Sequence, residues 1–333
     1  MLEKLRIAKF RFQLQAKDVL HLSNSNPVST LRGACGYVFK RTVCMQKRAE
    51  DYECATCLLR TGCPYPYIFE TQLPPDAEMF RGYFYVPHPF VLSLPFLSKS
   101  ILKPGETLSL NLTLIGKAID FLPYFLFVFS KLGEVGIGKG RGKYEMLSVH
   151  AVNPLEETEQ SIYTENEQIA YDTNLLLTYE NFLAKLPPLQ ESIAKAGRKL
   201  IIEFQTPTRL KNRNRLVVNP EFQILIRSLL RRISSLYYFH CGGQWEIDFR
   251  ELIAKATSVE YAPIDLKWVD WRRYSNRQQA QMKLGGFVGW VRYEGALDEF
   301  LLPLLIGQVL HVGKATAFGN GKYILCQEET KTQ

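Results

Sequence analysis

The feature that most constrains this chain is a pair of matching loops. Gly140-Arg-Gly-Lys-Tyr144 and Gly319-Asn-Gly-Lys-Tyr323 agree at four of five positions across a shift of 179 residues, from 140 to 319. A self-match at one fixed offset marks a duplicated structural unit. More glycine lies just upstream, at Gly136 and Gly138 in the first half and at Gly313 in the second, and each match runs into strand-like sequence, 144–149 and 323–326.

The segments before each loop also correspond. Apolar helix candidates at 117–131 and 297–310 follow extended segments at 107–115 and 286–293. Each half opens with a strand candidate, 5–15 or 199–204, followed by a helix candidate, 30–45 or 222–240. With 80–85 and 259–269 as the remaining strands, both halves read βαββαβ. The expectation is an α+β fold of tandem ferredoxin-like (RRM-like) domains. Residues 1–152 form the first, with a small cysteine-rich insertion at 44–63; an acidic, then proline-bearing linker covers 153–197; residues 198–333 form the second. In 222–240, Ile226, Leu229, Leu230, Ile233, Leu236 and Tyr237 recur at helical spacing. Arg227, Arg231 and Arg232 lie off that stripe, as a solvated basic face or one that contacts phosphates.

The chemistry available is narrower than the composition suggests. A net charge of +8 suits a polyanion without requiring one. Charges at Glu3, Lys4, Arg6 and Lys9 interrupt any signal-peptide core, and the most apolar stretch, 121–129, is far shorter than the roughly 20 residues that span a bilayer. The expected location is the cytoplasm, with no membrane partner. Nothing matches a Walker A loop, and the glycines follow a helix and enter a strand, the reverse of a dinucleotide fingerprint. Nucleotide-cofactor binding is therefore disfavoured. A glycine-rich turn is commonly no more than a tight connection, yet Lys139, Arg141, Lys143, Lys314 and Lys322 give these two the charge to hold an RNA backbone. Trp271-Arg272-Arg273-Tyr274 with Arg277 interleaves aromatic and cationic groups as a nucleic-acid surface does.

Four of seven cysteines, Cys44, Cys54, Cys57 and Cys63, crowd into the insertion. Four thiolates suit a structural zinc site; an iron–sulfur cluster takes the same set, and reduced thiols in a packed loop are the plain alternative.

His311-Val-Gly-Lys-Ala-Thr-Ala-Phe-Gly-Asn-Gly-Lys-Tyr323 resembles the C-terminal glycine-rich signature of the CRISPR precursor-RNA processing endoribonucleases of the RAMP superfamily. The resemblance extends to Thr206-Pro-Thr-Arg-Leu-Lys211, Arg231-Arg232, Trp271-Arg-Arg-Tyr-Ser-Asn-Arg-Gln278, Gly285-Gly286 and Leu31-Arg-Gly-Ala-Cys-Gly36, and the cysteine-rich stretch is similar to one branch of the family. It implies a prokaryotic protein, a monomer or homodimer, that binds CRISPR repeat RNA and works beside other CRISPR-associated proteins. It further implies metal-independent cleavage by attack of a ribose 2′-hydroxyl on the adjacent phosphate, giving 2′,3′-cyclic phosphate and 5′-hydroxyl ends. The RNA-binding residues implied are Arg32, Arg41, Lys139, Arg141, Lys143, Arg231, Arg232, Arg272, Arg273, Arg277, Gly313, Lys314, Gly319, Gly321 and Lys322.

Such chemistry needs a group to take the 2′-proton, a donor for the leaving 5′-oxygen and cations around the phosphorane. Family members often carry a catalytic histidine on or near the first helix, whereas 30–45 contains none and offers Tyr37, Lys40 and Arg41. His240, at the end of a basic helix, and His311, at the start of the glycine loop, are the first candidates, followed by Tyr37 with Lys40. The competing expectation is a RAMP subunit that binds processed RNA without cutting it.

Overall fold

A computed structural model describes the chain except residues 24–25, 47–52, 72, 74–76, 78, 80–85, 95–99, 168–172, 276–279 and 327–333. For 272–275 and 280–283 only the backbone is considered. The chain divides into two units, one formed by Leu5–Leu177 with Phe239–Gly242, the other by Met1–Lys4, Thr178–Tyr238 and Gly243–Gln333.

The first unit contains β1 (Arg6–Ala16), α1 (Pro27–Val43), α2 (Pro64–Phe69), β2 (Phe90–Ser93), β3 (Thr107–Ile115), α3 (Leu122–Val135), β4 (Tyr144–Asn153) and β5 (Thr158–Thr164). Its antiparallel sheet runs β2-β3-β1-β4-β5. The alternation of β1 explains its place. Phe10, Phe12 and Leu14 are buried, while Lys9, Arg11, Gln13 and Gln15 face the other way. Phe12 meets Phe129 of α3 at 4.9 Å between ring centroids, and Phe39 of α1 meets Phe125 at 5.3 Å. The strand expected at 80–85 lies outside the described residues; Phe90–Ser93 pairs with β3. Of the segment read as a linker, β5 continues this sheet beside β4, and two helices, Tyr179–Ala184 and Leu186–Lys195, lie in the second unit.

The second unit contains β6 (Lys199–Thr208), a hairpin of β7 (Lys211–Asn212) and β8 (Arg215–Leu216), α4 (Phe222–Cys241), β9 (Glu260–Val269), a hairpin of β10 (Arg272–Ser275) and β11 (Ala280–Lys283), β12 (Gly286–Glu294), α5 (Leu301–Leu310) and β13 (Tyr323–Cys326). The last residues of α4, Phe239–Cys241, belong to the first unit. The sheet order β9-β12-β6-β13 is the antiparallel 2-3-1-4 order of a ferredoxin-like βαββαβ unit, and β2-β3-β1-β4 repeats it. The tandem architecture is thus present twice over. The periodic stripe of α4 is buried from Ile226 to Tyr237, and Phe222 packs on Tyr293 and Phe300 at 5.0 and 5.1 Å. Among the described residues no helix is long and apolar enough to cross a membrane.

Candidate functional site

The paired loops match in hydrogen bonding as well as in sequence. In the first unit Ile137 N–H donates to the Gly142 carbonyl at 2.9 Å, and in the second Val312 N–H donates to the Gly321 carbonyl at 2.9 Å. The tyrosine that follows each loop donates back into the preceding helix: Tyr144 to the Phe129 carbonyl at 2.6 Å, and Tyr323 to the Leu304 carbonyl at 2.7 Å. Each loop lysine also docks on the end of its unit's first strand. The Lys143 carbonyl accepts from Lys17 N–H at 2.9 Å, and the Lys322 carbonyl accepts from Gln205 N–H at 2.9 Å. The lysine N–H groups are held in turn by Asp18 Oδ2 at 3.0 Å and Thr206 Oγ1 at 2.9 Å. Glycine is required at Gly138, where φ is +70° and a Cβ would lie 2.0 Å from the His21 carbonyl oxygen.

This anchoring of the backbone turns the first loop's side chains outward. Lys139, Arg141 and Lys143 are all exposed. The second loop is more deeply set. Gly313, Gly319 and Gly321 have φ of 85°, 80° and 74°, and Asn320 is fully buried, donating to the Leu284 carbonyl at 3.2 Å. Desolvation pushes the Lys322 ammonium below its ordinary pKa, against an opposing pull from Glu203. Lys314 is exposed as a residue, yet its ammonium is likewise lowered, by desolvation first and then by Arg231 and Lys211.

Arg231 and Arg232 are adjacent in sequence but play different parts. Arg231 is exposed, whereas only 7% of Arg232 is accessible. The Arg232 guanidinium donates through Nε to the Leu310 and His311 carbonyls, each at 3.0 Å, and through Nη2 to the Leu310 carbonyl at 2.8 Å. It thereby covers the carbonyl end of α5, where the helix dipole favours a cation. Burial pushes its pKa down to about 9, so it remains charged at neutral pH. Its placement is that of a clamp on the loop's entry.

His311, just after that clamp, has φ 59° and ψ 169°, a region otherwise reserved for glycine. Its ring is buried, with Nδ1 in a 3.1 Å hydrogen bond to the Asn320 carbonyl. His240 is also buried. Its Nδ1 and Nε2 lie 3.0 Å from the Tyr67 hydroxyl and 2.9 Å from the Pro87 carbonyl, which fits a neutral ring that accepts from Tyr67 and donates to Pro87. Burial, with Cys241 and Asp120 nearby, raises the Tyr67 phenol well above its ordinary value.

The structure keeps Tyr37, Lys40 and Arg41 together on α1, whose N-terminus Asn26 caps by accepting the Ser29 N–H at 2.9 Å. Tyr37 is 52% exposed, and its hydroxyl accepts from Arg41 Nη1 at 2.7 Å. Lys40 lies 5.7 Å from the Tyr65 ring, and the Arg32 guanidinium lies 5.4 Å from the Phe69 ring. This face therefore carries a phenol and cations without a histidine.

The four cysteines expected to hold a metal lie between the end of α1 and the start of α2. Cys44 follows α1, Cys54 and Cys57 close a turn through Cys57 N–H to the Cys54 carbonyl at 3.4 Å, and Cys63 precedes α2. Among the described residues, no group of three or more His, Cys, Asp or Glu side chains is arranged to hold a metal ion. Burial, then Glu70, pushes the Cys54 thiol up to about 11, and burial raises Cys63. Cys54 feels the charges of Cys63 and Cys44, and Cys63 those of Cys44 and Cys57, while neither the zinc nor the iron–sulfur expectation is confirmed among the described residues.

Trp271 is buried, not part of an open polar surface. Arg272 and Arg273 lie on β10, and Arg277 lies outside the described residues. Three cations that sequence reasoning missed, Lys211, Arg213 and Arg215, occupy the β7–β8 hairpin. Their readable signal is the alternation Lys-Asn-Arg-Asn-Arg, in which polar turn-formers separate charges.

Comparisons with known proteins bear on both units. Residues 5–175 match the AF_1859_N family model, described as an N-terminal domain, and residues 202–323 match the model for the CRISPR-associated endoribonuclease Cas6. No curated protein sequence matches. A solved Cas6-RT-Cas1–Cas2 partial complex aligns at TM-score 0.59 and 13% identity, covering 98% of this chain and 47% of that one. The chain therefore spans about half of that protein's length. Thermus thermophilus Cas6 aligns at TM-score 0.52 and 16% identity, covering 97% and 99% of the two chains. A Cas6 product complex aligns at 0.51 and 15%, covering 97% and 100%. At these identities the likeness is one of fold.

Proposed function

The chain belongs to the AF_1859_N family, whose model matches residues 5–175, and because residues 202–323 match the Cas6 endoribonuclease model we propose that it is an endoribonuclease that cuts CRISPR repeat RNA. The observation that carries the proposal is the exposed Tyr37–Arg41 pair on α1, with Lys40 beside it, in a chain that presents cationic glycine-rich loops in both units.

In the first unit the RNA backbone lies against Lys139, Arg141 and Lys143, and the scissile phosphate sits at the α1 face. The substrate's own 2′-hydroxyl is the nucleophile, so the reaction requires no metal-activated water. It gives its proton to solvent water and attacks phosphorus as the bond to the 5′-oxygen breaks; the 5′-oxygen takes the Tyr37 proton, which Tyr37 recovers from water, leaving a 2′,3′-cyclic phosphate and a 5′-hydroxyl. The Tyr37 oxygen accepts from Arg41, and a phenol that accepts can also donate its O–H, the role a donor to the departing oxygen needs. Arg41 and Lys40 stabilise the charge that gathers on the phosphorane oxygens. Arg232 and His311 fix the loop rather than touch the reacting atoms. The expected partners are precursor CRISPR RNA and other CRISPR-associated proteins.

A second reading has a specific observation in its favour. Both ring nitrogens of His240 are engaged inside the fold and His311 is buried, so neither buried ring is presented on α1. On that reading the protein is a RAMP subunit that binds processed RNA without cutting it. End-labelled repeat RNA incubated with the protein in EDTA separates the two. A single product ending in a cyclic phosphate supports the nuclease; RNA that is retarded on a native gel but stays intact supports the binder.

A further inference from the structure

Just beyond β6, the chain makes a small hairpin that the paired-loop pattern does not account for. Lys211 pairs with Leu216 and Asn212 with Arg215, and Val217 N–H donates to the Leu210 carbonyl at 3.1 Å. The two turn residues, Arg213 and Asn214, have φ of 47° and 64°, as a type I′ turn requires. Asn tolerates that conformation, but the Cβ of arginine strains it. A turn that favours Asn-Gly thus carries a cation at its tip.

The hairpin is firmly rooted. Leu210 and Val217 are buried, the Arg209 carbonyl accepts from Lys314 N–H at 3.0 Å, and Arg227 of α4 reaches Asn212 Oδ1 at 3.4 Å. Beyond that base, Lys211, Arg213 and Arg215 are all exposed, and none forms an ion pair among the described residues. Lys211 and Arg231 lie close enough to Lys314 to depress its protonation, so hairpin, helix and glycine loop bring like charges together. Such repulsion is relieved by a polyanion laid across all three.

We infer that the hairpin Arg209–Val217 is an RNA-docking arm that grips the phosphate backbone beside the C-terminal glycine-rich loop, supplying affinity without taking part in cutting. The inference rests on the RNA-cleaving reading above. Three cations contacting single-stranded phosphates contribute about 2 to the slope of log Kd against log salt, at about 0.7 each.

The test replaces Lys211→Gln, Arg213→Asn, Asn214→Gly and Arg215→Gln together, which removes the charges and leaves an Asn-Gly turn. Repeat RNA binding is measured by filter retention across a salt series, and cleavage by single turnover at saturating protein. The expected result is a slope lower by about 2, with equal loss on a scrambled RNA and a saturated cleavage rate within about twofold of the parent. Arg213→Asn with Asn214→Gly alone lowers the slope by about 0.7, and Arg213→Lys leaves it unchanged. An unchanged slope in the quadruple variant, with the parent still binding and cutting, overturns the docking arm alone. A parent that binds no RNA overturns the functional reading with it.

Discussion

Gly138 and Gly140 lie two residues apart in the N-terminal loop, with φ of +70° and +87°, yet their surroundings differ completely. A Cβ on Gly140 meets nothing within 4 Å, whereas one on Gly138 sits 2.0 Å from the His21 carbonyl oxygen. Gly140→Ala therefore costs only the left-handed backbone, about 1–2 kcal/mol. Gly138→Ala adds forced displacement of backbone, about 1–3 kcal/mol. It also strains the Lys139 N–H bond to the His21 carbonyl at 3.1 Å, worth about 1 kcal/mol. The totals are about 1.5 and about 4 kcal/mol. With a urea m-value of about 2 kcal/mol/M, the midpoint of the first unit falls by less than about 1 M for Gly140→Ala and by about 2 M for Gly138→Ala. Circular dichroism across a urea series reads both, with tryptophan fluorescence as the control, since all four tryptophans lie in the second unit. Equal shifts for the two variants, or a Gly138→Ala shift below about 0.5 M, refute the idea that close backbone docking, and not φ alone, fixes the glycines.

Tyr37→Phe should lower the single-turnover cleavage rate by at least about 100-fold while leaving the RNA Kd within about twofold, which a rapid-quench series checks. Tyr144→Phe and Tyr323→Phe each remove one buried side-chain hydrogen bond to a helix carbonyl and should cost about 0.5–1.5 kcal/mol in urea denaturation, alike in the two units. Because desolvation and neighbouring cations hold the Lys314 pKa below 10.5, the RNA-free protein should gain stability as pH rises from that lowered value towards 10.5, while RNA affinity falls over the same window. Lys314→Met should flatten both trends, leaving the part that Lys322 and Arg232 contribute, weakening RNA binding at neutral pH and slightly raising the urea midpoint of the free protein. Dialysis against EDTA should leave the cleavage rate unchanged.

The repeated order of helix, glycine turn and strand was readable because each part is local: an apolar period, a glycine cluster and a Lys-Tyr pair entering a strand. The bonds that make the loops equivalent were not, since Lys17 to Lys143 and Gln205 to Lys322 join residues more than 100 positions apart, a link no local pattern encodes. The edge strand Phe90–Ser93 escaped for a different reason. It is four residues long and wholly buried, so it shows no alternation, and Pro87 and Pro89 precede it.

At the candidate site, nearness in sequence to cations was a poor guide to exposure. His240 falls three and four residues after Tyr237 and Leu236, on the apolar stripe that continues from Ile233. Arg232 falls three and four positions from Leu229 and Leu236, on the edge of the same stripe. Helical geometry thus places both inside, as their burial shows. Tyr37 and Arg41 lie one turn apart, a spacing that by itself puts them on one face of α1, where they bond. The β7–β8 hairpin was obscured by its unusual Arg-Asn turn, which lacks the Asn-Gly pair that normally announces one.

The central claim is that this chain cuts RNA through the substrate's own 2′-hydroxyl. Its most direct test compares two end-labelled repeat RNAs in EDTA under single turnover, one all-ribose and one with a single 2′-deoxy substitution at the scissile nucleotide. The account predicts one cut in the first, ending in a cyclic phosphate, and none in the second despite equal binding. Cutting of the deoxy substrate at the same position, or binding of both without cutting of either, would contradict it.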